Sequence, residues 1–175
     1  MSAAAAPRRI VTGHDDRGRS VVLSDGPAPV SRTVTDDGTA FHEIWSTAGA
    51  PAPIPAAEER DPTQRPLRVP PEPEGTVIRV VDIPAGGRSP MHRTESVDYG
   101  VVLDGELHLV LDDGSATALA PGDIVVQRGT DHAWENRSGG PARMAFILVD
   151  GRFADSLKTR LAEAVALYDH EVGPA

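Results

Sequence analysis

The chain contains no cysteine. That excludes disulfides, thiolate metal sites and a cysteine nucleophile, and it suits a reducing compartment. Aromatic residues are scarce, at 4%, so any cluster of them marks a surface meant to be covered. Positive charge is also outweighed: 17 lysines and arginines stand against 26 aspartates and glutamates, for a net charge of −9. No basic stripe is available to neutralise phosphates, which argues against a nucleic-acid partner. No apolar run approaches the roughly 20 residues of a membrane span, and the opening MSAAAAPRRI is too short for a signal-peptide core. A soluble, cytoplasmic protein without a membrane partner is expected.

What is present favours strands. At 175 residues the chain suffices for about one domain, and its 17 glycines and 16 prolines punctuate short apolar runs. TVIRVVDI over Thr76–Ile83 is apolar on both faces, which implies burial on two sides in a sandwich or barrel. Further strands are predicted at 97–103, 106–111, 116–119, 124–127, 132–136 and 143–149, with Asp104-Gly105 and Asp113-Gly114 as tight hairpin signals. The gaps are too short for crossover helices, so the sheets should be antiparallel. The fold class is therefore all-β, an antiparallel jelly-roll barrel.

The flanks read as supports. Residues 1–8 have nothing to bury, and 9–75 hold a hairpin candidate, the strand FHEIWS over 41–46 and a proline-rich arm. Strict alternation places Phe41, Glu43 and Trp45 on one face of that strand, with His42 and Ile44 on the other. Residues 76–150 make the barrel. Over 151–175 the period changes, and Phe153, Leu157, Leu161, Val165 and Tyr168 share one stripe of an amphipathic C-terminal helix.

Most residues capable of chemistry fall in 86–136. The segment GGRSPMHRTESVDYGVVLDGE resembles the first cupin motif, with Gly86, His92, Thr94, Asp98 and Gly105 at its marked places. PGDIVVQRGTDHAWEN resembles the second, through Gly122, Gln127, Gly129, His132 and Asn136. The nearest likeness is to small bacterial single-domain cupins. Thr94 stands where the second motif histidine would be, Asp98 replaces glutamate, and Gln127 replaces a proline.

The resemblance implies a metal on His92, Asp98 and His132, with Glu95 as the alternative carboxylate. Two imidazoles and a carboxylate leave open positions on Fe(II), Mn(II), Zn(II) or Ni(II), as a catalytic centre requires. Thr94 and Glu95 are then the candidate catalytic side chains, and Thr94, Gln127, Trp134 and Asn136 the substrate pocket. Tyr99 is expected to pack and Arg93 to join a salt bridge. The implied activity is metal-dependent lyase or isomerase chemistry on a small oxygen-rich molecule: dehydration, decarboxylation or enolisation. A non-haem Fe(II) dioxygenase and a non-catalytic metabolite binder are the alternatives. A homodimer is expected by the same resemblance.

Overall fold

The computed structural model describes residues 5–58 and 60–161. Every run named above as a strand forms one, because alternating apolar side chains can bury one face only in a pleated ribbon. In chain order the strands are β1 (Arg8–His14), β2 (Ser20–Pro27), β3 (Val30–Thr33), β4 (Ala40–Thr47), β5 (Thr76–Ile83) and β6 (Ser96–Asp104). They continue as β7 (Leu107–Leu111), β8 (Ala116–Leu119), β9 (Ile124–Arg128), β10 (His132–Glu135) and β11 (Ala142–Asp150). The strand β3 had no clear signal in the sequence, since VSRT carries only one apolar side chain. A single helical turn, α1 (Asp155–Lys158), follows. The rest of the expected C-terminal helix, with Val165 and Tyr168, lies outside the described residues. No helix among the described residues is long and apolar enough to cross a membrane.

All pairings are antiparallel. A six-stranded sheet in the order β3-β4-β5-β11-β6-β9 faces a three-stranded sheet in the order β10-β7-β8, while β1 and β2 form a separate hairpin. The inward faces follow from parity. Val77, Arg79, Val81 and Ile83 on β5, Ser96, Asp98, Gly100 and Val102 on β6, and Ala142, Met144 and Leu148 on β11 are all buried. Met144 and Leu107 are fully covered, and burial of each contributes roughly 1.5–3 kcal/mol. Part of this interior is filled by the apolar cluster around Val102, Leu107 and Met144, and part is the cavity described below.

Two local expectations change. The Asp113-Gly114 turn does join a hairpin, β7 to β8. Asp104-Gly105 instead carries the chain from the six-stranded sheet to the three-stranded one, because β6 pairs with β11 and β9 whereas β7 pairs with β10 and β8. Gly105 adopts a φ of 73°, and a Cβ there would meet Pro141 O at 2.5 Å and the Ala142 Cα at 2.7 Å. Left-handed backbone and close approach of another chain segment both demand glycine. Gly105→Ala is expected to lower the unfolding free energy by about 2 kcal/mol or more, read from the urea midpoint; an unchanged midpoint would refute this account of the corner.

The second change concerns Trp45. An irregularity between Glu43 and Trp45 shifts the β4–β5 register, so that Glu43 faces Arg79 but Trp45 faces Ile78. The bulge reverses parity and sends Trp45 to the outer side, where the Arg9 guanidinium lies 5.9 Å from its ring. Arg9 also pairs with Asp61 of the proline-rich arm and donates to Ile44 O at 3.2 Å. The arm is thereby tied to the barrel; it brings Val69 to the cavity wall and Arg68 O to Arg79, with Leu67 buried.

Candidate active site

His92 and His132 are brought together by backbone pairing. The stretch following Gly87 runs antiparallel to β10: Ser89 N donates to Trp134 O at 2.9 Å, and His92 and His132 exchange both backbone hydrogen bonds at 2.9 Å. Residues directly opposed in such a ladder project their side chains to the same face. The imidazole centroids accordingly lie 4.3 Å apart at 47°. On the facing sheet Asp98 of β6 stands opposite Gln127 of β9, and both enter the same interior.

These side chains share a cavity of about 300 Å³. His92, Thr94, Asp98, Gln127 and His132 form its polar end together with Arg79. Phe41, Val81, Ile83, Trp134, Phe146 and Leu148 make the apolar body. Trp134 is fixed edge-on between His132 and Phe146, with centroid separations of 5.6 and 5.2 Å. Gly100 lines the wall as well, and its missing side chain leaves room for the Met144 methyl, which a Cβ would meet at 2.5 Å.

The electrostatics of the polar end are set by burial. Asp98 is 6% exposed; desolvation pushes its pKa up to about 6, against the opposing pull of Ser96, Thr94 and Arg79. Ser96 Oγ lies 2.6 Å from Asp98 Oδ1 and 2.7 Å from Thr94 Oγ1, which is 3.4 Å from Oδ2. The carboxyl is thus held by hydroxyl groups. Desolvation, with the neighbouring His92, lowers the His132 pKa to about 4, and desolvation lowers that of His92 too. Both rings are neutral at pH 7.

The metal implied by the sequence was assigned to His92, Asp98 and His132. Two of these donors suit an ion: His92 Nδ1 donates to Pro90 O at 2.9 Å, and His132 Nδ1 lies 3.0 Å from Thr130 O and 2.9 Å from Gln127 Nε2. Where Nδ1 donates to a backbone carbonyl the lone pair is left on Nε2, the arrangement of ligating imidazoles. Asp98 does not complete the set, being engaged with Ser96 and Thr94. Among the described residues no group of three or more His, Asp and Glu side chains stands close enough to hold an ion. Among the described residues, as arranged, His92, Asp98 and His132 do not form a 2-His-1-carboxylate centre.

Other candidates fall where the backbone directs them. Thr94, Gln127 and Trp134 line the cavity as expected. Glu95 does not: its opposite parity turns it outward, where it accepts a hydrogen bond from Phe153 N at 2.7 Å. Asn136 is also outside the pocket, donating to Ile83 O and Gly140 O at 3.0 and 2.9 Å and accepting from Ser138; its role is to clamp the loop before β11. Arg93 pairs with Asp131 at 3.2 Å, and Tyr99 is an exposed residue of the outer face. Arg79 and Phe41 were missed. Their signal was present in parity, since a lone arginine on the inward face of a two-sided apolar strand has only the interior to enter.

A protein-family model described as a cupin domain matches residues 79–149. Among curated proteins, phomopsin biosynthesis cluster protein C' of Diaporthe leptostromiformis is 41% identical over 150 residues, covering 83% of this chain and 79% of its own length. The cupin-domain-containing oxidoreductase fogC of Aspergillus ruber is 39% identical, over 81% of this chain and 71% of its own. Both relatives are fungal, and they support the cupin family without the bacterial group expected from the sequence. Among solved structures, the cupin domain of Schizosaccharomyces pombe Cnp3 superposes with a TM-score of 0.50 at 12% identity, over 87% of this chain and 91% of that one; this likeness concerns the fold alone.

Proposed function

This chain belongs to the cupin family, and from that premise we propose that it is an enzyme moving a proton on a small carbonyl compound, a lyase or isomerase reaction. One observation carries the reading: a buried carboxyl with a pKa of about 6 shares one cavity with two neutral imidazoles. Proton transfer is most efficient when the catalytic pKa lies near the working pH. Asp98 meets that condition where an ordinary aspartate does not.

In the reaction Asp98, as carboxylate, takes a proton from the carbon beside the substrate carbonyl. The electron pair of that C–H bond moves to give an enolate, and the proton goes from Asp98 to oxygen, to another carbon, or to a β-hydroxyl, which then leaves as water as the enolate electrons form the C=C bond. Thr94 and Ser96 act as positioning residues that fix the carboxyl. The Nε2 lone pairs of His92 and His132 accept a substrate hydroxyl, and because both rings are neutral they do not compete as acids. The mostly apolar walls exclude water and favour a substrate with an apolar body and one oxygen-bearing end, in place of a uniformly oxygen-rich one.

Incubation with β-keto and 2-oxo compounds in D2O should give deuterium at the carbon beside the carbonyl, followed by NMR. A second reading, oxidoreduction, is favoured by the name borne by the Aspergillus ruber relative. Substrate turnover that stops under anaerobic conditions, with no exchange in D2O, would replace the first reading by the second.

A further inference from the structure

The proton-transfer mechanism leaves one buried cation of the cavity unused. Arg79 and Glu43 are directly opposed across β5 and β4, 2% and 3% exposed. Arg79 Nε lies 3.1 Å from Glu43 Oε1, Nη2 donates to Arg68 O at 2.7 Å, and the Phe41 ring sits 5.1 Å from the guanidinium carbon. A second guanidinium, that of Arg65, approaches the other oxygen of Glu43 at 3.8 Å. One carboxylate therefore serves two cations. Among the described residues no protein acceptor binds Arg79 Nη1, and no hydrogen bond joins Arg79 to Asp98, although both line the cavity.

A guanidinium presents five N–H groups in a planar fork that matches a carboxylate. Here Glu43 supplies the counter-charge beside Nε and a backbone carbonyl accepts from Nη2, while the residue lines the cavity. We propose that Arg79 anchors a carboxylate of the substrate, so that the enzyme acts on an organic acid with an apolar body, its carboxylate at Arg79 and its tail against Trp134, Phe146 and Leu148. This rests on the cavity being the active site. Glu43 is the positioning residue that orients the fork.

The test compares 4-phenylbutanoate with 4-phenylbutanamide, which share one body and differ in charge, by titration calorimetry. The wild type is expected to bind the carboxylate at least tenfold more tightly than the amide. Arg79→Met should abolish that preference and leave the amide within twofold, and Leu148→Trp should weaken both probes by filling the cavity. If Arg79→Met does not fold, the double substitution Glu43→Gln, Arg79→Gln removes charge and counter-charge together and should abolish the preference equally. Equal binding of the two probes by the wild type, no binding of either, or a preference that survives loss of Arg79 would overturn the proposal. Proton exchange into neutral carbonyl compounds reads the reaction separately: exchange without carboxylate preference sinks the anchor alone, and preference without exchange sinks the reaction alone.

Discussion

Asp98→Asn is expected to abolish most activity and, at pH 7.5, to make the protein more stable. A positioned acid or base contributes about 10²- to 10⁴-fold to a rate, and asparagine can neither take nor return the proton. The stability gain follows from the same burial. In the unfolded chain an aspartate ionises near its ordinary 3.8, whereas in the fold Asp98 holds its proton up to about 6. The native state therefore binds more protons than the unfolded state in that window, and stability falls as pH rises through it. Above pH 6 the ionised carboxyl costs about 3 kcal/mol. Asparagine removes that cost and loses part of the hydroxyl bonding from Ser96 and Thr94, leaving a net gain of roughly 1–3 kcal/mol. At pH 4 Asp98 is protonated in the fold and partly protonated in the unfolded chain, so most of the gain should vanish. Urea unfolding at pH 7.5 and pH 4, beside the D2O exchange rate at both, checks the paired outcome. A variant that is inactive yet no more stable at pH 7.5 would show that Asp98 is an ordinary surface-like carboxylate.

Glu43→Ala should produce the largest loss of stability. Arg79 is buried, and desolvation lowers its pKa while Glu43 raises it again. Deleting Glu43 leaves a buried guanidinium without its main counter-charge, a change that costs about 3–5 kcal/mol. For a chain of this length that corresponds to a melting point lower by roughly 10 °C or more. Glu43→Gln keeps the shape of the side chain but removes its charge, so it should lose nearly as much. Calorimetric melts of the two variants separate the loss of charge from the loss of packing, and a Glu43→Gln melting point equal to that of the wild type would contradict an electrostatic role. The contrast with Asp98 is instructive: one buried carboxylate is stabilised by its cation, whereas the other is kept short of one, which is a condition for its chemistry.

How much of this was legible in the sequence depends on how far each feature reaches along the chain. Alternation within a strand is local, so the burial pattern of β5 and β6 and the inward turn of Asp98 follow from TVIRVVDI and SVDYGVVLD alone. The joint approach of His92 and His132 was legible only through the two motif registers, since forty residues separate them. Arg79 was overlooked because a single arginine in an apolar strand has no meaning until Glu43 is placed opposite it.

The amino-acid sequence by itself determined the strands, the turn glycines and the two imidazoles, because side-chain period and turn chemistry act between near neighbours. Only the tertiary structure decided that Asp98 is bonded to the Ser96 and Thr94 hydroxyls, that Glu95 and Asn136 leave the cavity, that a bulge turns Trp45 outward, and that Gly105 joins two sheets. Each of these depends on which strand lies opposite which and at what register. Such pairings are contacts between distant parts of the chain, selected by the packing of the whole barrel.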